Sequence, residues 1–169
     1  MDGLETILTR RSIRRYTDSS VNDDLLHKLI QAAVSAPSAG NQQPWQFIII
    51  RNRMILQKIL QFHSHAKMLL EAQAAILICG DLTKEKHKGF WMIDCAAATQ
   101  NLLLSAHAYG LGCCWIGIFP RENRVKGMSD LTNLPKDIIP FAIVSIGYPA
   151  EKKDASDRYD SSLVHYEKW

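Results

Sequence analysis

The alternation of apolar and polar positions divides the chain into helical and extended stretches. Asn22, followed by two acidic residues, is typical of a helix N-cap, and apolar positions then recur at helical spacing until Pro37 ends the pattern. A second helix is predicted over 54–60. The stretch 127–140 is predicted to be a connector, because Leu-Pro breaks its pattern. Short apolar runs predict four buried strands, at 46–50, 74–79, 113–118 and 141–146.

The longest apolar pattern covers 91–109 and is apolar on most helical faces, which is typical of a helix in a protein core. A membrane span is the alternative interpretation. Polar side chains inside the window, including Asp94 and Asn101, would be costly in lipid, so we expect a core helix. Asp94 then needs hydrogen-bond partners, and a structural role is expected for it rather than acid–base catalysis.

A polar arm closes the sequence. Residues 150–162 hold four acids and three bases with almost no apolar side chain, and the chain then ends in Leu163, Val164, Tyr166 and Trp169. Such an arm has no core of its own, so we expect its apolar tip to pack on another surface, of this chain or of a partner. Residues 1–149 are therefore predicted to form one domain, and 150–169 its C-terminal arm.

Composition limits the possible classes of function. A chain of 169 residues suits one domain, and 47% hydrophobic with 22% charged residues is typical of a folded protein. The net charge of +3 is too small to indicate a nucleic-acid partner, and no basic tract does so. The four cysteines form no Cys-x-x-Cys pair, and the first residues lack the features of a signal peptide. We therefore expect free thiols and a cytoplasmic protein.

Four arginines lie within six residues near the N-terminus. A helix predicted over 4–15 would place Arg10 and Arg14 on one face, and Arg11 and Arg15 would share the next. Guanidinium groups this close repel one another unless an anion or acidic side chains lie between them. A phosphate is a good candidate, because its oxygens match the guanidinium fork. The alternative is a solvated basic face paired with surface acids.

The stretch 37–45 is the second candidate site. Pro37 and Pro44 exclude a continuous helix or central strand, and Gly40 and Asn41 tolerate left-handed backbone. Its density of amide and hydroxyl groups, with a tryptophan at its end, suits recognition of a flat ligand with polar edges. The alternative is a capped helix end followed by an ordinary turn.

No other motif supplies chemistry of the protein's own. His63, His65 and His87 have no metal-ligand spacing, and surface or packing roles are expected for them. The adjacent Cys113 and Cys114 could be redox active, but packing is the usual role of cysteines in an apolar strand. Nucleotide-binding fingerprints and serine-nucleophile motifs are absent from the sequence. An enzyme built from these residues would depend on a cofactor.

Several motifs, in this order and spacing, resemble the nitroreductase family of flavin proteins. The resemblance extends over essentially the whole chain, and the tail is similar to that of small bacterial and archaeal members. The motifs are Arg10-Arg11-Ser12-Ile13-Arg14, the stretch 37–45, the stretch 110–117 and Gly147-Tyr148-Pro149.

The resemblance implies an α+β fold, with a mixed, mainly antiparallel sheet flanked by helices and a C-terminal arm crossing to the partner subunit. It implies a homodimer with FMN at the subunit interface, and flavin chemistry without a catalytic side chain or a metal. The FMN phosphate and ribityl chain would contact Arg10, Arg11, Ser12 and Arg14, with Arg158 as a second phosphate contact. The other subunit would contribute Pro37, Ser38, Ala39 and Asn41, and the reactive edge of the flavin would lie beside Ile116 and Gly117.

The activity implied is that of an FMN-dependent oxidoreductase, which takes hydride from NAD(P)H and reduces nitroaromatic, quinone or related acceptors. Larger members carry an inserted helical region and an acidic residue where this chain has Ile116, so we expect a more open pocket and different nicotinamide contacts. Three alternatives stay open: a specialised flavoenzyme for an unknown metabolite, a flavin-binding or storage protein without efficient turnover, and a flavin-free interaction module that uses the aromatic tail.

Overall fold

A computed structural model describes residues 2–169, which contain five α-helices and four β-strands. The helices are α1 (Gly3–Thr9), α2 (Asp23–Val34), α3 (Arg53–Lys58), α4 (Trp91–Ala108) and α5 (Glu122–Thr132). The strands are β1 (Trp45–Ile50), β2 (Ala74–Asp81), β3 (Gly112–Gly117) and β4 (Ile138–Gly147).

The strands form one sheet in the order β1-β2-β4-β3, and every neighbouring pair is antiparallel. A single parallel bridge joins Ser12 to Cys113 at the outer edge of β3. Helices α2 and α4 pack on one face of the sheet, and α3 and α5 pack on the other. The expected α+β class, with helices flanking a mainly antiparallel sheet, is confirmed.

Local signals located most elements correctly. The side-chain oxygen of Asn22 accepts a hydrogen bond from the amide of Leu25 (2.8 Å), as expected of an N-cap. All eight residues of β2 are buried, because this central strand has helices on both faces and a strand on each side. A continuous apolar run without alternation is the pattern that such a strand requires.

The helix predicted over 4–15 is wrong beyond Thr9, where α1 ends. The residues that follow are extended, because the amide of Ile13 donates to the carbonyl oxygen of Cys113 (2.9 Å). The hydroxyl of Tyr16 donates in turn to the carbonyl oxygen of Ile13 (2.6 Å). Contacts with the sheet thus replace the helical hydrogen bonds of this segment.

The connector predicted over 127–140 is also wrong over most of its length, since α5 and the start of β4 occupy it. Gly127, where the predicted connector begins, lies within α5, and a Cβ atom there would come within 2.5 Å of the Phe62 ring. Glycine is therefore explained here by close packing. Met128, the next residue, is fully buried and anchors α5 to the core.

The long helix α4 is only partly a core helix. Its inner face is buried against the sheet and α2, whereas Ile93 on its outer face is 58% exposed. Within residues 2–169, no helix combines the length and the apolar character needed to cross a bilayer.

The arm after β4 has two parts. Its first residues lie against the extended segment that follows α1, where the amide of Ala150 donates to the carbonyl oxygen of Arg15 (2.9 Å). The remainder is exposed, and Tyr166 and Trp169 are 86% and 101% accessible. The apolar tip is thus uncovered in the single chain.

Candidate functional site

The extended segment 10–16, which carries the arginines, is held against the edge of the sheet by its buried side chains. Ile13 packs closely on Gly112: a Cβ atom built on Gly112 would lie only 2.7 Å from the Ile13 side chain. The arginines flank these buried positions, and Arg14 is exposed. Because the segment is extended, the prediction that Arg10 and Arg14 share one helical face is wrong.

A cavity of about 800 Å³, which we call the β3 cavity, opens beside β3. Its volume lies in the range of cofactor pockets. Arg15 in its wall is neutralised by the Glu71 carboxylate (2.9 Å), but Arg14 and Lys67 take part in none of the ion pairs within residues 2–169. The cavity therefore presents unpaired positive charge. Its lining consists of Arg14, Arg15, His63, Ser64, His65, Lys67, Met68, Glu71, Cys114, Trp115, Ile116 and Gly117.

A second cavity of about 440 Å³, the arm cavity, lies between α1 and the C-terminal arm. Arg10, Arg11 and Arg158 all line it. Among the described residues, Arg10 Nε and Arg11 Nη2 are buried donors without an acceptor. A buried donor without a partner costs about 1–3 kcal/mol, and more for a charged group. The two guanidinium groups that line this cavity therefore have unused hydrogen-bonding capacity.

The outer edge of β3 presents main-chain groups to the β3 cavity. In an antiparallel pair, alternate residues direct both main-chain groups away from the neighbouring strand. The Cys113 carbonyl points outward, since it accepts from Ile13, so Trp115 and Gly117 must also direct their amides outward. A Cβ atom built on Gly117 meets no described atom within 4 Å. A ligand can therefore approach this backbone closely.

Two side chains hold the main-chain carbonyl of Gly117. His63 Nε2 and Arg124 Nη1 each lie 3.0 Å from the Gly117 carbonyl oxygen, and both donate to it. His63 is 3% exposed, and burial, together with the nearby Arg124 charge, lowers its pKa. His63 is therefore neutral at pH 7, and besides being buried it holds a main-chain carbonyl at the β3 cavity.

The adjacent cysteines are buried thiols, as are the other two cysteines. Burial raises the pKa of Cys113 to about 12 and also raises the pKa of Cys114, which lines the β3 cavity. Neither is a thiolate at neutral pH. This protonation state agrees with the predicted packing role.

The loop at 37–45 is anchored by buried polar side chains. The Asp94 carboxylate accepts from the amide of Ala39 (2.9 Å) and from Nε2 of Gln42 (2.7 Å). Oε1 of Gln42 accepts in turn from the amides of Lys86 (2.8 Å) and His87 (3.0 Å). The structural hydrogen bonding predicted for Asp94 is thus confirmed, and Gln42 joins the loop to the segment before α4.

The tip of this loop has an unusual backbone. Gly40, Asn41 and Gln43 have φ angles of 51°, 53° and 46°, in the left-handed region that L side chains rarely adopt. A Cβ atom at Gly40 would come within 2.3 Å of His87 Nε2, so the turn requires glycine. The amide of Gln43 donates to Ser38 Oγ (3.0 Å). The loop is therefore preorganised, with the Asn41 side chain at its surface.

The structure separates the predicted flavin-site residues into distinct groups. The β3 cavity contains Arg14, Ile116 and Gly117, and the arm cavity contains Arg10, Arg11 and Arg158. Ser12 lies on the extended segment between the arginines. Neither cavity is lined by the loop residues Pro37, Ser38, Ala39 and Asn41. In the single chain, the loop therefore contributes to neither of these two cavities.

Sequence reasoning missed residues that support the site indirectly. Gln42 belongs to an amide-rich stretch, so its anchoring role had a visible signal. His63 and Arg124 lack such a signal, because they meet at Gly117 only in the folded chain. The same holds for Glu151, whose carboxylate accepts from the amide of Arg14 (2.5 Å).

The model of the nitroreductase family matches residues 7–73 and 60–148. A Methanothermobacter thermautotrophicus protein, provisionally named NADH dehydrogenase/NAD(P)H nitroreductase, is 46% identical over 169 residues, covering 100% of this chain and 88% of that protein.

Solved structures show the same similarity. A Parabacteroides distasonis protein with the same provisional name superposes with a TM-score of 0.94 at 38% identity, covering 98% of both chains. A provisionally named nitroreductase from Desulfovibrio desulfuricans, solved in complex with FMN, has a TM-score of 0.86 at 28% identity. That alignment covers 100% of this chain and 99% of the other.

Proposed function

Because the chain belongs to the nitroreductase family, we propose that it is an FMN-dependent oxidoreductase that takes hydride from NAD(P)H and reduces nitroaromatic, quinone or related acceptors. Its relatives support the general reaction, since one is provisionally named for NAD(P)H and another was solved with FMN. The observation that carries the proposal is the pair of arginine donors without acceptors, which belong to guanidinium groups that line the arm cavity.

The residues present fit FMN at both of its ends. A phosphate carries the charge and the acceptor oxygens that Arg10 Nε and Arg11 Nη2 lack in the folded chain. A flat ring needs a wall that lets it approach the backbone, and Gly117 supplies one. We assign Arg10, Arg11 and Arg158 to the phosphate, Ser12 and Arg14 to the part between phosphate and ring, and Ile116 and Gly117 to the ring.

When bound, FMN would supply the redox chemistry, namely hydride and electron transfer between the nicotinamide and the acceptor. The residues of the chain itself would bind the flavin and orient it. The Gly117 amide faces the β3 cavity, and His63, which lines the same cavity, holds the Gly117 carbonyl together with Arg124. Arg14 contributes an unpaired positive charge to the same cavity, which favours negative charge on a bound group.

A homodimer would complete the site. The loop residues Pro37, Ser38, Ala39 and Asn41 line neither cavity of their own chain, so we assign them to the flavin of the partner subunit. Exposed apolar side chains on α1, on α4 and in the arm support an interface. They include Leu4, Ile7, Leu8, Ile93, Leu163, Tyr166 and Trp169. The arm crossing to the partner and the cytoplasmic location stay predictions.

The function is tested by anaerobic stopped-flow reduction of the purified protein. We expect yellow protein whose flavin absorbance is bleached by NADH or NADPH and returns when a quinone or nitroaromatic is added. Protein that is colourless and takes up no added FMN would exclude every flavin function. Yellow protein that neither nicotinamide reduces would favour a storage role or another donor.

The phosphate assignment predicts a loss of affinity in Arg10→Ala. Removing a hydrogen bond to a charged group costs about 1.5–3 kcal/mol. The FMN dissociation constant should therefore increase by a factor between about ten and somewhat over a hundred. Fluorescence titration with FMN measures this change.

The matched control is Arg15→Ala, which removes the same charge from the same segment. Its guanidinium is already paired with Glu71 and is not assigned to the cofactor. We expect little change in FMN affinity for this variant. Equal losses in both variants would show that Arg10 acts only through general charge, and the phosphate assignment would then be wrong.

A further inference from the structure

We propose that Glu151 is a positioning residue, which holds the arginine segment in its ligand-binding conformation from the first turn of the C-terminal arm. This inference rests on the proposed function, because the segment matters as a carrier of cofactor contacts. Glu151 Oε1 accepts hydrogen bonds from the amides of both Arg14 (2.5 Å) and Arg15 (3.3 Å). Two successive main-chain amides thus share one anionic oxygen as their acceptor.

Lys153 adds a contact to a main-chain carbonyl of the same segment. We call Glu151 and Lys153 together the clamp. Lys153 Nζ lies 3.2 Å from the Glu151 carboxylate and donates to the carbonyl oxygen of Ser12 (2.8 Å). Glu151 thus holds amides of the segment, while its ion-pair partner holds a carbonyl. The Glu151 side chain is 25% exposed.

The clamp has a clear physical task. The segment 10–16 is extended, so its amides and carbonyls have no helical partners and must find others. The amide of Ile13 donates to a carbonyl of β3. The clamp provides the hydrogen-bond partners of the Ser12 carbonyl and of the Arg14 and Arg15 amides. The direction of the arginine side chains depends on this backbone. Loss of the clamp should therefore weaken cofactor binding without removing any cofactor contact.

The charge state of Glu151 agrees with this role. The hydrogen bond from the Arg14 amide is the largest cause of a lowered pKa at Glu151, followed among the favourable contacts by the hydrogen bond from Lys153. A lowered pKa in the folded state means that the ionised form is stabilised. The clamp is therefore intact at neutral pH and weakens as pH falls through the lowered pKa.

The test compares FMN dissociation constants and apoprotein melting for the full-length wild type, Glu151→Ala, Glu151→Gln and Asp154→Ala. Asp154→Ala is the matched control, since it removes one negative charge from the same arm but keeps the main-chain carbonyl that accepts from Arg11. We expect Glu151→Ala to bind FMN at least about tenfold more weakly than Asp154→Ala. Glu151→Gln retains an acceptor for the two amides, so it should recover part of that loss.

Each result decides the proposal. Glu151→Ala binding FMN as tightly as Asp154→Ala would overturn the clamp and leave the proposed function intact. Loss of affinity without partial recovery in Glu151→Gln, in step with a lowered melting temperature, would show a merely structural role and also overturn it. If Glu151→Ala does not fold, Glu151→Gln is compared with Asp154→Asn, and equal affinities overturn the clamp. A wild-type chain that binds no FMN would overturn the proposed function first.

Discussion

Gly117→Val is expected to abolish tight flavin binding while the chain keeps its fold. A Cβ atom at this position meets no described atom within 4 Å, and valine is a favourable residue in a β-strand. The valine methyl groups would occupy the space in which a ring approaches the outer edge of β3. Forcing methyl groups into a packed contact costs about 1–3 kcal/mol. Because the flavin ring is rigid, we expect a cost near the upper end of this range, which weakens FMN binding about a hundredfold.

The measurement pairs FMN titration with thermal melting of the apoprotein. Gly127→Ala is the contrasting variant, because a Cβ atom there would come within 2.5 Å of Phe62, and neither residue lines the β3 cavity. We expect lower stability and ordinary FMN affinity for Gly127→Ala, which is the opposite pattern. Tight FMN binding by folded Gly117→Val would remove β3 from the flavin site.

A mixed dimer of Arg14→Ala and Asn41→Ala subunits is expected to recover one tight FMN site per dimer. Each substitution should impair both sites of its own homodimer, since every site is proposed to combine Arg14 of one subunit with Asn41 of the other. In the mixed dimer, one site carries both defects, and the other has both wild-type residues. The basis is geometric: Arg14 lines the β3 cavity, whereas Asn41 of the same chain lies outside it.

Differently tagged subunits, co-expressed and purified as the heterodimer, allow the flavin content and the NAD(P)H-dependent activity to be measured. About one FMN per dimer, with activity to match, is the expected outcome. Both parent homodimers serve as controls. A heterodimer that binds FMN no better than its parents would contradict a site shared between subunits, and a monomeric wild-type protein would contradict it more directly.

Much of the fold could be predicted because its signals are local. Asn22 caps α2 through an amide three residues away, and the apolar run in β2 needs only burial on both faces. The motifs shared with the nitroreductase family also predicted which residues would form a flavin site. These features depend on neighbours in the sequence, so a linear pattern contains them.

The failures share a physical cause. The spacing of Arg10 and Arg14 fits a helix, but Ile13 lies against β3, and its amide bonds to Cys113 one hundred residues later. Gly127 has the low helix propensity of a turn residue, yet close packing against Phe62 places it inside α5. In both cases a tertiary contact overrides the local preference.

The sequence by itself determined which residues can bind a phosphate and a flat ring, since arginines, amides and an unobstructed glycine have these capacities wherever they lie. Only the tertiary structure decided how they are used. In the folded chain, Arg15 forms an ion pair with Glu71, and Arg10 and Arg11 have buried donors without acceptors. Arg14 lines a different cavity from Arg10 and Arg11. The reason is that main-chain groups of an extended segment find their partners far along the chain: Arg14 and Glu151 are 137 residues apart.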